Sequence, residues 1–252
     1  MSERTKRVLR ALEDAGVDVV FVTGRPPRWM ADVSEQTGRT GIAICANGGL
    51  VWDMHEERVV ETFPLAVEAG LEVVRRLRAA FPEVGFAIET ADSFAHEHAY
   101  VPRSAPPDDT RLVQGIEDAF DQPAVKLLAR HEGMDPDALL AASREVIGDL
   151  AELTHSSTSA LLEISAAGVS KATTLALLCA RRGIDARDVV AFGDMPNDLA
   201  MLAWAGRSYA MANAHPDVLA AVQHRAPSVD EDGVAQVLEG LFALRTGDVR
   251  QR

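Results

Sequence analysis

The sequence predicts an α/β fold: a Rossmann-like core of parallel strands and helices, interrupted by an inserted α+β unit. Three observations carry this. Apolar runs at 17–22, 188–192 and 207–211 each lead into a helical pattern, the order that makes parallel strands with crossover helices. Between 62 and 165 the texture changes to short paired strand candidates mixed with helices. After Gly168 the alternation resumes. The expected organisation is a core of 1–61 plus 166–252, with 62–165 inserted as a second unit.

Element by element, Val8, Leu9, Leu12 and Ala15 give helical spacing over 3–15, with Ser2 as cap and Gly16 as stop. The strand at 17–22 closes on Thr23-Gly24-Arg25, and Pro26 and Pro27 suit the first turn of a helix reaching Glu35. A strand at 41–45 precedes Ala46-Asn47-Gly48-Gly49, and 50–53 with 58–62 reads as a hairpin. The insertion reads as a helix at 66–80, strands at 84–89 and 94–100, a Pro/Asp-rich loop at 102–109 and a helix at 110–120. A strand at 124–129, a helix at 135–148 and strands at 150–155 and 160–164 complete it. The core returns with helices at 170–182, 197–205, 215–222 and 232–243, and strands at 188–192 and 207–211. The tail from Arg245 is polar and expected to fray.

Composition narrows the function classes. The net charge of −13 argues against nucleic acid as the main partner, which calls for a basic face. No segment approaches the run of about 18 apolar residues that suggests a membrane helix, and no signal peptide opens the chain. Cys45 and Cys179 lie in apolar patterns, which reads as buried free thiols and a cytoplasmic location. No Gly-x-Gly-x-x-Gly turn or Gly-x4-Gly-Lys-Ser/Thr loop occurs, which argues against a dinucleotide oxidoreductase and a P-loop kinase. Lysine occurs only at positions 6, 126 and 171, so the placing of each carries information.

The chemistry concentrates in Gly193-Asp194-Met195-Pro196-Asn197-Asp198, where a strand ends and a helix begins. Ligands of parallel sheets bind at the carboxyl ends of strands. Two aspartates four apart there suit a hard cation such as Mg²⁺, although Asp is also a common helix cap. Thr23 ends the first strand, where a hydroxyl and neighbouring N–H groups can hold a phosphoryl oxygen or merely cap a turn. Lys171 opens a helix, where a cation opposes the macrodipole by about 0.3–1 kcal/mol. Neutralising a bound anion would explain it; a solvated surface lysine is the alternative. His96 and His98 would share a strand face, but no third ligand in register supports zinc. Phe94, His96, His98 and Arg103 are candidate substrate contacts.

With these motifs in place, the chain resembles the haloacid dehalogenase (HAD) superfamily, in its Cof-type branch with a type IIB cap. The resemblance rests on Val22-Thr23-Gly24-Arg25, Ala46-Asn47-Gly48-Gly49, Gly168-Val169-Ser170-Lys171 and Gly193 through Leu202, supported by 211–214 and 231–234. It implies Mg²⁺-dependent hydrolysis of a small phosphorylated metabolite, such as a sugar phosphate. Thr23, Gly24, Lys171 and Asn197 would bind the phosphoryl group, and Asp194 and Asp198 would anchor the metal. Asn47 and Gly48 would border the substrate entrance, and 62–165 would be the cap.

One departure stands out. Members of that superfamily begin with a central strand ending in Asp-x-Asp-Gly-Thr, whose first Asp is the nucleophile and second the acid/base. This sequence contains no such motif, and its opening residues resemble the helix that normally follows it. The expectation is a sheet lacking that strand, with two interior strands left unpaired, and a chain that is inactive or nearly so. Either the native product begins upstream, with a Val codon read as the initiator, or this is a non-catalytic phosphate-ester-binding or regulatory protein. Oligomeric state is not legible.

Overall fold

Ser2 starts the first helix, α1 (Glu3–Asp14), by accepting the Thr5 N–H on its hydroxyl, and Val8 and Leu12 are buried beneath it. The structure, a computed structural model, describes residues 1–38, 40–102, 106–156 and 160–243; Arg103 and the tail from 245 lie outside the described residues. The chain continues through β1 (Val20–Val22), α2 (Ala31–Thr37), β2 (Ile42–Cys45), β3 (Leu50–Asp53) and β4 (Arg58–Thr62). These strands form one sheet in chain order, with β1 parallel to β2 and the rest antiparallel. The helix expected directly after Pro26 and Pro27 is a single 3-10 turn at Pro27–Trp29, and α2 starts after it.

The next segment is α3 (Val67–Ala80), β5 (Gly85–Glu89), β6 (Phe94–Glu97), β7 (Arg111–Val113), β8 (Lys126–Arg130), α4 (Pro136–Ile147), β9 (Ala151–Thr154) and β10 (Leu161–Ala166). Its six strands form a separate sheet of order β7-β6-β5-β8-β10-β9, mostly antiparallel. Successive side chains of a strand point to opposite faces. On β8, Leu127 and Ala129 join Val73, Leu77 and Leu139 in the core under the two helices. Lys126, Leu128 and Arg130 therefore take the other face, which looks toward the first sheet across a cavity.

The helix expected at 110–120 does not form. Residues 111–113 pair with β6 as an edge strand, and only a 3-10 turn follows at Ile116–Ala119. Gly115 breaks the helical run. The buried Glu97 carboxylate then fixes the turn by accepting the Ile116 N–H at 3.0 Å and the Phe86 N–H at 3.0 Å.

The remaining elements are α5 (Lys171–Arg182), β11 (Val190–Gly193), α6 (Leu199–Trp204), β12 (Arg207–Met211), α7 (Pro216–Ala221), β13 (His224–Ala226) and α8 (Gly233–Phe242). The three strands form a third, wholly parallel sheet. Strand β13 is too short and polar to be marked by the sequence.

The strands β1 and β11 end their sheets on sides that face a common slot. Val20, Val22, Val190 and Phe192 line it with Leu175 and Leu238, around about 600 Å³. No strand among the described residues enters this slot. Helices α1, α5 and α8 wall the space with apolar side chains, among them Leu12, Leu175 and Leu238.

A close approach locks the first sheet to α5. Gly48 has φ +103°, and a Cβ there would sit 2.4 Å from the Ser170 carbonyl oxygen. The Thr174 hydroxyl donates to the Gly48 carbonyl at 2.9 Å. Gly48→Ala is therefore expected to cost about 2 kcal/mol in urea-induced unfolding, from left-handed strain and lost contact together; an unchanged midpoint would refute this tight junction.

Candidate active site

The site is built where β1, β11 and α5 present their ends to the cavity. Thr23 directly follows β1: its N–H donates to the Ile44 carbonyl at 2.8 Å, extending the parallel pairing by one residue. Its hydroxyl oxygen accepts the Arg25 N–H at 3.1 Å, a turn that Ser and Thr favour. The hydroxyl proton has no acceptor among the described residues.

Lys171 is the first residue of α5, within a Ser170–Thr173 capping box. It is 6 % exposed, and its ammonium donates to Asp198 Oδ1 at 2.6 Å. This ion pair offsets the unfavourable helix dipole and replaces the surface-lysine alternative. Asp198 is itself 4 % exposed, and its Oδ2 accepts the N–H groups of Asp194 at 3.0 Å and Met195 at 3.1 Å. Gly193 makes room for this: a Cβ there would lie 2.6 Å from Asp198 Cβ. Asp198 is thus the clamp of the 193–198 loop as well as the partner of Lys171.

Asp194 is half-buried and points no hydrogen bond at another described side chain. Burial pushes its carboxyl above the ordinary value; the Asp198 charge adds to the rise and Lys171 opposes it. Asn197 donates from Nδ2 to Asn47 Oδ1 at 3.0 Å, while its own Oδ1 is buried without a partner among the described residues.

Thr23, Gly24, Lys171, Asp194, Asn197 and Asp198 all line one cavity of about 600 Å³. Asn47 and Gly48 do not reach its surface. They are buried behind the loop, where the Asn47 N–H donates to the Thr23 carbonyl at 3.1 Å, so they shape the wall and do not border an opening. Phe94 lines the cavity, whereas His96 and His98 do not: β6 stops at Glu97, and His98 is exposed beyond it. Among the described residues no group of three or more His, Cys, Asp or Glu side chains is arranged to hold a metal by itself.

The far wall brings residues that sequence reasoning did not place at the site. Lys126 on β8 donates to the Gly24 carbonyl at 2.5 Å and to Glu163 Oε1 at 2.8 Å, joining the second sheet to the Thr23 loop. Burial alone would push the Glu163 carboxyl up, but the Lys126 charge and hydrogen bond, with the Ser156 hydroxyl at 2.6 Å, hold it below the ordinary value. Arg28 pairs with the buried Glu89. The rarity of lysine and the alternation Lys126, Leu128, Arg130 were the available signals. Cys45 and Cys179 are buried free thiols, and burial pushes Cys45 up to about 12.

The raised Asp194 carboxyl has a consequence for stability. A carboxyl whose folded value lies above its unfolded value imposes no penalty when protonated in both states, at low pH. The penalty grows as pH rises past the ordinary 3.8 and is complete once the folded group has ionised. Asp194→Asn removes it. In chelator, the thermal midpoint of the variant should exceed that of the wild type at pH 7, and the gap should close toward pH 4. A gap that is constant with pH would contradict the assignment.

With this geometry in view, comparison with known proteins is informative. The haloacid dehalogenase-like hydrolase family matches residues 1–238. The chain is 28% identical over 242 residues to 5-amino-6-(5-phospho-D-ribitylamino)uracil phosphatase YcsE of Bacillus subtilis, covering 94% of this chain and 87% of that one. It is 27% identical over 241 residues to pyridoxal phosphate phosphatase YbhA of Escherichia coli, covering 91% and 88%. In fold it is similar to the HAD subclass IIB sugar phosphatase BT4131, with a TM-score of 0.79 at 18% identity, covering 97% of this chain and 93% of that chain. The chain belongs to the haloacid dehalogenase-like hydrolase family.

Proposed function

We propose that the cavity binds a small phosphate monoester, such as a sugar phosphate, together with Mg²⁺, in the cytoplasm. The observation that carries this reading is the convergence of Thr23, Lys171 and Asp194 on one cavity. Phosphoryl transfer is mostly positioning and charge neutralisation. The Thr23 hydroxyl and Lys171 ammonium supply donors to phosphoryl oxygens, and Gly24 keeps the backbone close. Asn197 offers a further polar group beside them.

The donor set suits magnesium. Asp194 offers carboxylate oxygens that no described side chain occupies, and its burial is an electrostatic cost that a cation would relieve. Asp198 would support the same ion from behind, directly or through water, while clamping the loop. When bound, Mg²⁺ supplies charge neutralisation at the phosphoryl oxygens. Residues 62–165 would act as the cap over the leaving group, with Lys126 as its contact to the Thr23 loop.

Turnover is a separate matter. An in-line attack needs an unengaged nucleophile, and the carboxylates of this cavity are committed: Asp198 to Lys171, Glu163 to Lys126, Glu89 to Arg28. Asp194 is reserved for the cation. The 252-residue chain should therefore bind phosphate esters and release phosphate slowly or not at all. This engagement of the carboxylates also favours the second reading, a phosphate-ester-binding or regulatory protein.

Phosphate release from a panel of sugar phosphates with and without Mg²⁺ tests this. The expected rate is more than tenfold below that of the same chain extended by a strand carrying Asp-x-Asp-Gly-Thr. Equal Mg²⁺-dependent rates for the two would contradict it.

A further inference from the structure

Arg130 is the one cavity-lining cation whose charge the described residues leave unmatched by a salt bridge within a buried setting. It is 6 % exposed, and its Nε and Nη1 are sealed from solvent with no hydrogen-bond partner among the described residues. Among the described residues its one ring or charge contact is with Tyr100, whose ring centroid lies 5.3 Å from the guanidinium carbon. That contact covers one face of the guanidinium and leaves Nε and Nη1 on its edge without an acceptor among the described residues. A buried guanidinium without an anion is a costly arrangement. The neighbouring carboxylates do not relieve it, because Glu163 is taken by Lys126 and Glu89 by Arg28.

Position adds chemistry. Lys126 and Arg130 lie on the same face of β8, four residues apart, or about 13 Å along the strand. Lys126 touches the Gly24 carbonyl beside the phosphoryl end of the cavity. Arg130 therefore marks the opposite end, with Leu128, Phe94 and Tyr100 between as an apolar and aromatic wall.

We propose that Arg130 recognises a second anionic oxygen group, a carboxylate or a phosphate, at the far end of the substrate's leaving group. This rests on the phosphate-ester reading above and narrows it: the preferred ester is doubly anionic, with an extended body that packs against the Phe94–Tyr100 wall. Guanidinium suits this task because its planar fork pairs with two oxygens at once.

Calorimetric binding in the presence of Mg²⁺ separates the two readings. Two pairs of esters serve as probes: 6-phosphogluconate against glucose 6-phosphate, and fructose 1,6-bisphosphate against fructose 6-phosphate. In the wild type the doubly anionic member of at least one pair should bind about tenfold tighter or more, and the pair that responds tells carboxylate from phosphate. Arg130→Met should reduce that ratio to near one, and Arg130→Lys should restore part of it. Thermal midpoints of the two variants, equal to or above the wild type, would show that the folded site is intact. The inference is overturned if neither pair shows a preference, or if the preference survives in Arg130→Met. Lys171→Met should weaken all four esters together; if it leaves them all unchanged, the phosphate-site reading fails instead.

Discussion

The ion pair between Lys171 and Asp198 is the interaction on which this site depends. It joins the start of α5 to the loop that runs from β11 into α6 across a nearly dry contact, 2.6 Å from nitrogen to oxygen. The second oxygen of the same carboxylate holds two N–H groups of the 193–198 loop. Breaking a buried pair by removing one partner leaves an uncompensated charge, typically at a cost of about 3–5 kcal/mol. The loop that presents Asp194 is thereby held in one conformation, and the ammonium stays at the cavity wall instead of extending into solvent.

The same logic runs across the cavity. Lys126 and Glu163 form a second buried pair, and Lys126 also reaches the Gly24 carbonyl of the facing loop. Arg28 and Glu89 make a third contact between the two walls. The six-stranded sheet thus closes over the Thr23 loop through paired charges, which are strong when dry and weaken when solvated. Such a seam can open for a ligand at lower cost than an apolar one. Among the described residues this pairing leaves over the half-buried Asp194 and the buried Arg130, one at each end of the cavity.

Much of this was legible in the sequence. The parallel runs, the hairpin at 50–62 and the loop at 193–198 announced themselves through apolar periodicity and turn residues. Lys171 and Asp194 could be singled out because a cation in a first helical turn and paired aspartates at a strand end are unfavourable without a ligand, whereas Thr23 read equally as a turn cap and gained its role from the family resemblance. The misplaced helix at 110–120 shows the limit: local pattern there yields to the edge of β6 and to a buried Glu97 that captures two backbone N–H groups. Lys126, Glu163 and Arg130 were hidden for a related reason. They lie on strands of the insertion, and only the pairing of β8 with β5 and β10 sets which face looks at the core. Asn47 and Gly48 were found by motif, but their role in the wall follows from the contact with Ser170, which no local pattern encodes.

The central claim is that Thr23, Lys171 and Asp194 form one compartment for a phosphoryl group and a magnesium ion. Linked binding of inorganic phosphate and Mg²⁺ tests it most directly, since two ligands sharing a site must change each other's affinity by the same factor. The account predicts that Mg²⁺ tightens phosphate binding about tenfold, that phosphate tightens Mg²⁺ binding equally, and that Asp194→Asn abolishes the coupling. Independent binding of the two ions, or coupling that persists in Asp194→Asn, would contradict it.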